Sequence, residues 1–112
     1  MLTFKEIKTR SVILTLKRPI KAKIAYIKEW PILLVDLYTN EGIVGRSYLQ
    51  PYLEKSLKYI SSIIDDFNEV LRNKELAPFD NFDLMRQSLH FIGYEGLSLT
   101  AVSAVDMAIW DA

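Results

Sequence analysis

The sequence predicts an α+β fold: a three-stranded antiparallel meander followed by three helices. Three observations predict it. Apolar residues alternate along the opening stretch, the apolar period then lengthens to three and four residues, and the two regimes do not interleave. Strands first and helices after is the pattern of segregated layers rather than of alternating α/β units. The chain has 112 residues, 50% of them hydrophobic, which suits one domain with a real core and is too apolar for a disordered tail.

Residues 3–17 alternate, with Val12, Leu14 and Leu16 on one side and Ser11, Ile13 and Thr15 on the other. That is strand periodicity with β-branched enrichment. The pattern fails over residues 18–29, which read as a long, mobile loop. Residues 30–39 form the second strand, with Pro31 near its start, where a missing N–H costs least. Asn40-Glu41-Gly42 is a hairpin turn in which Gly42 supplies a positive φ, and Ile43 to Leu49 returns as the third strand.

Leu53, Leu57, Ile60, Ile64, Phe67 and Leu71 then form one stripe on a helix of about five turns. Ser61, Ser62, Asp65, Asp66 and Glu69 occupy its wet side, and Leu76-Ala77-Pro78 ends it. Asp80 reads as an N-cap, with Asp83 three residues on, opening a short helix that turns Phe82, Met85 and Leu89 inward. Gly93-Tyr94-Glu95-Gly96 breaks that helix. The last helix begins near Leu97 or Ser98 and packs through Ala101, Ala104, Val105, Ala108 and Ile109. It reaches Ala112 with no Gly, Asn or Pro to cap its carbonyls, so the expectation is the front part of a larger protein, with a single domain over 1–112.

The absence of cysteine excludes disulfides, Cys-ligated zinc and thiol catalysis. It fits a reducing compartment, and a cytoplasmic location is expected. Lys5, Glu6 and Lys8 interrupt any leader-like start, and the longest apolar run, Ile32 to Val35, is far too short to cross a bilayer, so no membrane partner is expected. Formal net charge is zero. Residues 1–28 nevertheless hold Lys5, Lys8, Arg10, Lys17, Arg18, Lys21, Lys23 and Lys28 against Glu6 alone. The plain reading is a solvated basic edge that resists strand pairing; an anion-attracting surface is the alternative.

Chemistry-bearing candidates are few. His90 is the only histidine and follows a short amphipathic segment, where a cation also suits a helix C-terminus; with no second His or Cys nearby, a structural or solvent-facing role is expected. Asp65 and Asp66 lie about 100° apart on a helix and do not share a metal easily. Asp36, within an apolar strand, is either a buried paired carboxylate or a solvent-facing one beside a basic neighbour. Asp106 and Asp111 stand in a small, apolar helix, and Asp106 reads as a hydrogen-bonded interface carboxylate. Gly42 and Gly45 do not make a phosphate-binding signature. Lys21-Ala22-Lys23, on a loop without desolvating surroundings, makes a poor base pair.

Several stretches together resemble a known family. They are Arg10 with Pro19, Pro31 to Leu37, Gly42 to Leu49 with Tyr52, Leu76-Ala77-Pro78, Gly93 to Leu97, and Ala104 to Ala112. In order and spacing this set resembles the N-terminal capping domain of the enolase superfamily, in the mandelate racemase and muconate lactonizing enzyme group, on the mandelate racemase side. The resemblance implies a C-terminal TIM-barrel catalytic domain outside this chain. Mg²⁺ and the acid/base residues are expected there, with no cofactor, metal ligand or catalytic residue in residues 1–112. It also implies a lid: a loop between the first two strands and another after the third, closing over the barrel mouth. By position, Ile20, Ile24 and Ile27 match apolar pocket-lining residues of the first loop, and Tyr52 an aromatic of the second. Closure of such a lid excludes water and selects the substrate's side group. Lys21, Lys23, Lys28 and Trp30 stand where the racemase pattern has small or neutral residues, which widens the implied substrate from mandelate to more polar or anionic acids, such as a sugar acid.

The resemblance therefore implies a capping domain of a Mg²⁺-dependent racemase, dehydratase or cycloisomerase that abstracts the α-proton of a carboxylate, the chain itself being inactive. Its implied partners are the barrel domain and the parent's small carboxylate substrate, with a homo-oligomer expected and nucleic acid not expected. The alternative is a stand-alone module binding an anion or nucleic acid through the basic N-terminal strand and loop, where Tyr26 and Trp30 stand beside lysines. A third reading is a structural fragment that self-associates through an exposed apolar helix.

Overall fold

Apolar residues at every second position of the central strand decide where the core lies. In a computed structural model describing residues 1–23, 26–93 and 95–112, β1 (Phe4–Lys21), β2 (Tyr26–Thr39) and β3 (Val44–Leu49) form one antiparallel sheet in the order β1-β2-β3. Leu33, Val35 and Leu37 are fully buried on one face of β2. That face is covered by α1 (Glu54–Leu71) and α3 (Leu97–Asp111), and α2 (Pro78–Ser88) packs against both helices. The other face, carrying Ile32, Leu34, Asp36 and Tyr38, is half-exposed. The expected α+β order of three strands and three helices is what the structure has.

The stripe on α1 forms as its spacing requires. Leu57, Ile60, Ile64, Phe67 and Leu71 are all buried, each worth about 1.5–3 kcal/mol of removed apolar surface. Leu53 is the exception: it is the N-cap residue, still extended, and is exposed. On α3 the small residues Ala101, Ala104 and Ala108 are fully buried and let the helix lie close to β3. Contact is tightest at Gly45, where a Cβ would run into the carbonyl oxygen of Ala108 and sit 2.9 Å from the Ala112 Cβ. One strand step on, the Ser47 hydroxyl donates to the Ala104 carbonyl at 2.6 Å.

Two sequence expectations are corrected. The stretch 18–29 is not a long loop. β1 continues to Lys21 and β2 begins at Tyr26, with Ile20 paired to Ile27 and Lys21 to Tyr26. The alternation fails there for two reasons. This arm of the hairpin projects past the helices, so neither of its faces is buried and no pattern is needed. The register also slips: Thr15 pairs with Glu29 and Ile20 with Ile27, leaving Leu16, Lys17, Arg18 and Pro19 opposite Lys28 alone. Pro19, without an N–H, belongs in such an irregularity. The radius of gyration, 15.0 Å, exceeds the roughly 13 Å of a compact chain this long, as a projecting arm requires.

The second correction concerns Asp80. The helix starts earlier, with Ala77 as N-cap and Pro78 in its first turn. Proline's fixed φ and missing N–H suit that position, so Asp80 falls within the first turn, where its charge complements the helix dipole. Ala77 offers no side-chain cap; the segment leading into the helix is held instead by Asn81, which is buried. Its Oδ1 accepts from the Ala77 N–H at 2.9 Å and its Nδ2 donates to the Glu75 carbonyl at 3.1 Å. Elsewhere the turn at 40–42 is as expected: the Gly42 N–H donates to the Thr39 carbonyl at 3.2 Å and Gly42 takes φ +89°.

Candidate functional site

Of the residues matched to a lid, Ile27 and Tyr52 come together. Both line a cleft of about 210 Å³ between the hairpin arm and the start of α1, with Ile13, Pro31 and Leu53 as further apolar wall and Lys28 and Glu54 among its polar lining. Ile20 is Ile27's cross-strand partner but does not line the cleft, and it is exposed. Ile24 lies outside the described residues. Two phenols, Tyr26 and Tyr52, also line the cleft.

Tyr52 is held in an unusual geometry. Its φ is +62°, and across it the Leu53 N–H donates to the Pro51 carbonyl at 2.7 Å. A positive φ spanned by an i to i+2 hydrogen bond marks the strained form of the γ-turn. For a bulky residue such backbone costs about 1–3 kcal/mol and persists only where the surroundings enforce it. Its ring stands edge to face with Trp30 of β2, centroids 5.6 Å apart and planes at 89°.

The basic arm is partly engaged with its own aromatics: Lys21 and Lys28 sit over the Tyr26 ring at 6.0 and 5.4 Å. On the uncovered sheet face Asp36 takes the solvent-facing option beside a basic neighbour, accepting from Arg46 Nε at 3.2 Å across neighbouring strands. A depression beside this pair is lined by Arg10, Leu34 and Tyr48. Asp111 accepts from the Arg46 backbone N–H at 2.8 Å, tying the end of α3 to β3. Asp106 is half-buried on α3, with Trp110 one turn on in its own helix. Burial pushes its carboxyl above the usual carboxylate range, and the Trp110 indole opposes that shift only in part. His90 is exposed, its ring against Phe91. Asp65 and Asp66 are exposed on α1. Among the described residues no group of three or more His, Cys, Asp or Glu converges to hold a metal ion, and no helix is long and apolar enough to cross a membrane.

The sequence profile of the mandelate racemase / muconate lactonizing enzyme N-terminal domain matches residues 4–112. The chain belongs to this family. Solved structures agree. An enolase from alpha proteobacterium BAL199, crystallised with bound magnesium, is 48% identical over 100% of this chain, with a TM-score of 0.95. An enolase from Bradyrhizobium, complexed with magnesium and mandelic acid, is 34% identical over 99% of the chain, with a TM-score of 0.89. A racemase from Streptomyces coelicolor A3(2), at 18% identity, 96% coverage and a TM-score of 0.86, shares the fold. The chain spans about a third of these proteins: 31%, 31% and 30% of their lengths.

The residues that sequence reasoning missed act at a distance. Trp30 against Tyr52 had one local signal, two aromatics flanking the strand pair. Gly45 had another, a glycine inside a strand, which marks close backbone approach. Nothing local announces that Asn68 of α1 receives the Ile7 N–H at 2.7 Å and donates to the Ile7 carbonyl at 3.2 Å.

Proposed function

We propose that the chain is the substrate-capping domain of a Mg²⁺-dependent enolase-superfamily enzyme, a racemase, dehydratase or cycloisomerase that abstracts the α-proton of a carboxylate. The observation that carries this reading is the family match over residues 4–112, joined to relatives of which the chain covers only about a third. Ile20, Ile24, Ile27 and Tyr52 are assigned to the lid, with the cleft between arm and α1 as the part of the pocket wall this chain supplies. In this reading magnesium and the proton-transferring groups belong to the barrel. No chemical step is assigned to this chain's own side chains. Their work is to exclude water and to fit the substrate's side group.

The barrel is the first partner. Met107, Trp110 and Tyr48 are exposed and line one broad depression beside β3 and α3, and Phe79 stands edge to face with Trp110 at 6.0 Å. A contiguous apolar surface of this kind favours an interface. The reading is tested by solvent deuterium exchange at the α-carbon of a panel of 2-hydroxy carboxylates, mandelate and sugar acids included. The 112-residue chain is expected to be inert, and the chain joined to its barrel to exchange only with Mg²⁺ present. Exchange by the chain alone, or none by the joined protein across the panel, overturns it.

A further inference from the structure

We infer that Trp30 is a positioning residue: its ring holds Tyr52 in the strained γ-turn and so joins the hairpin arm to the segment after β3 as one unit. Four observations lead there. Tyr52 has φ +62° in a position where glycine would sit without strain. The turn is closed by a single short hydrogen bond, Leu53 N–H to the Pro51 carbonyl at 2.7 Å, and one such bond does no more than match the backbone strain it opposes. The phenol is exposed to solvent, so burial does not hold it either. Among the described residues Trp30 provides its aromatic contact, edge to face at 5.6 Å, the arrangement the ring quadrupoles prefer.

Trp30 is also well placed to transmit the restraint. It is half-buried, pairs with Leu14 across the hairpin, and precedes Pro31, which is buried and lines the same cleft as Tyr52 and Ile27. Any rotation of the arm at this point moves Trp30 and, through it, Tyr52. The inference rests on the lid reading only for its functional consequence. If Ile27 and Tyr52 form a substrate wall, Trp30 sets the gap between them and thereby the size of side group admitted, without touching substrate itself.

The experiment is NMR on the labelled 112-residue chain, reading the intraresidue amide-to-Hα NOE of Tyr52, which is strong only at positive φ. Trp30→Phe keeps a ring and is expected to keep the strong NOE. Trp30→Ala and Trp30→Leu, the second preserving apolar bulk for the strand, are expected to lose it while α3 amide shifts stay in place. A strong Tyr52 NOE in Trp30→Leu overturns the inference. The same variants in the barrel-joined protein separate it from the reading beneath. A several-fold rise in KM for the bulkier acids at little-changed kcat, rescued by Trp30→Phe, supports both. Unchanged KM beside a lost NOE supports the Trp30–Tyr52 coupling and overturns the lid assignment instead.

Discussion

At the scale of single residues, two side-chain positions carry more than their neighbours. Gly45 is needed because α3 lies against β3 there, and a methyl group would meet the Ala108 carbonyl, a backbone atom with little freedom to retreat. Gly45→Ala is expected to destabilise by about 1–3 kcal/mol or more, as overpacking does, read as a lower urea midpoint with unchanged m-value. Asp106 acts through its charge. Its folded carboxyl binds its proton more tightly than the unfolded one, because burial disfavours the anion. The native state therefore holds the extra proton, and this group's contribution is most favourable below the unfolded carboxylate pKa. It is lost as pH rises through the elevated folded value. Asp106→Asn is expected to remove that component. The difference in urea midpoint between variant and parent chain should grow in the variant's favour between acid and neutral pH, and a pH-independent difference refutes the assignment.

At the scale of elements, what the sequence made legible was what burial enforces locally. The α1 stripe and the β2 alternation could be read because each element has one buried face, and the period of an element with one buried face is written in its own residues. The arm had no buried face, so its residues carry no period, and paired strand passed for loop. At α2 two local signals competed, Asp80 as cap and Pro78 as first-turn residue. The proline governed because its fixed φ and missing N–H suit the first turn, while Asn81 Oδ1 holds the N–H of Ala77 just before it. Contacts across the sheet edge were invisible for another reason: Asn68 and Ile7 are 61 residues apart. That pair covers one of the open backbone positions of edge strand β1, which otherwise invite foreign strands. Asn68→Ala leaves the Ile7 N–H and carbonyl without this partner. The expected loss is about 1–3 kcal/mol for a partly buried unsatisfied pair. The sharper reading is amide exchange, where Ile7 should lose protection while the Leu33 and Val35 amides of β2 keep theirs.

At the scale of the whole molecule, the sheet's helical face accounts for the core, while a second apolar surface lies open to solvent among the described residues. Tyr48, Met107, Trp110 and Phe79 are continuous through a shared depression and a ring contact, and all four are exposed. The chain is neutral overall, so net repulsion does little to keep such surfaces apart. The isolated chain is therefore expected to self-associate with rising concentration through this surface. Under the capping-domain proposal, a barrel joined to the chain would cover this surface and compete for the same residues. Sedimentation of the chain should show a concentration-dependent rise in mass that Met107→Ser weakens, and a strict monomer at high concentration refutes the sticky surface. Trp110 reports the competing state. On a Trp30→Phe background, which leaves Trp110 as the sole tryptophan of the 112 residues, its emission should be that of a wetted indole in dilute chain and shift to the blue when the barrel is joined. Emission that stays red in the joined protein would mean that the barrel docks elsewhere, and that this surface meets a second copy instead.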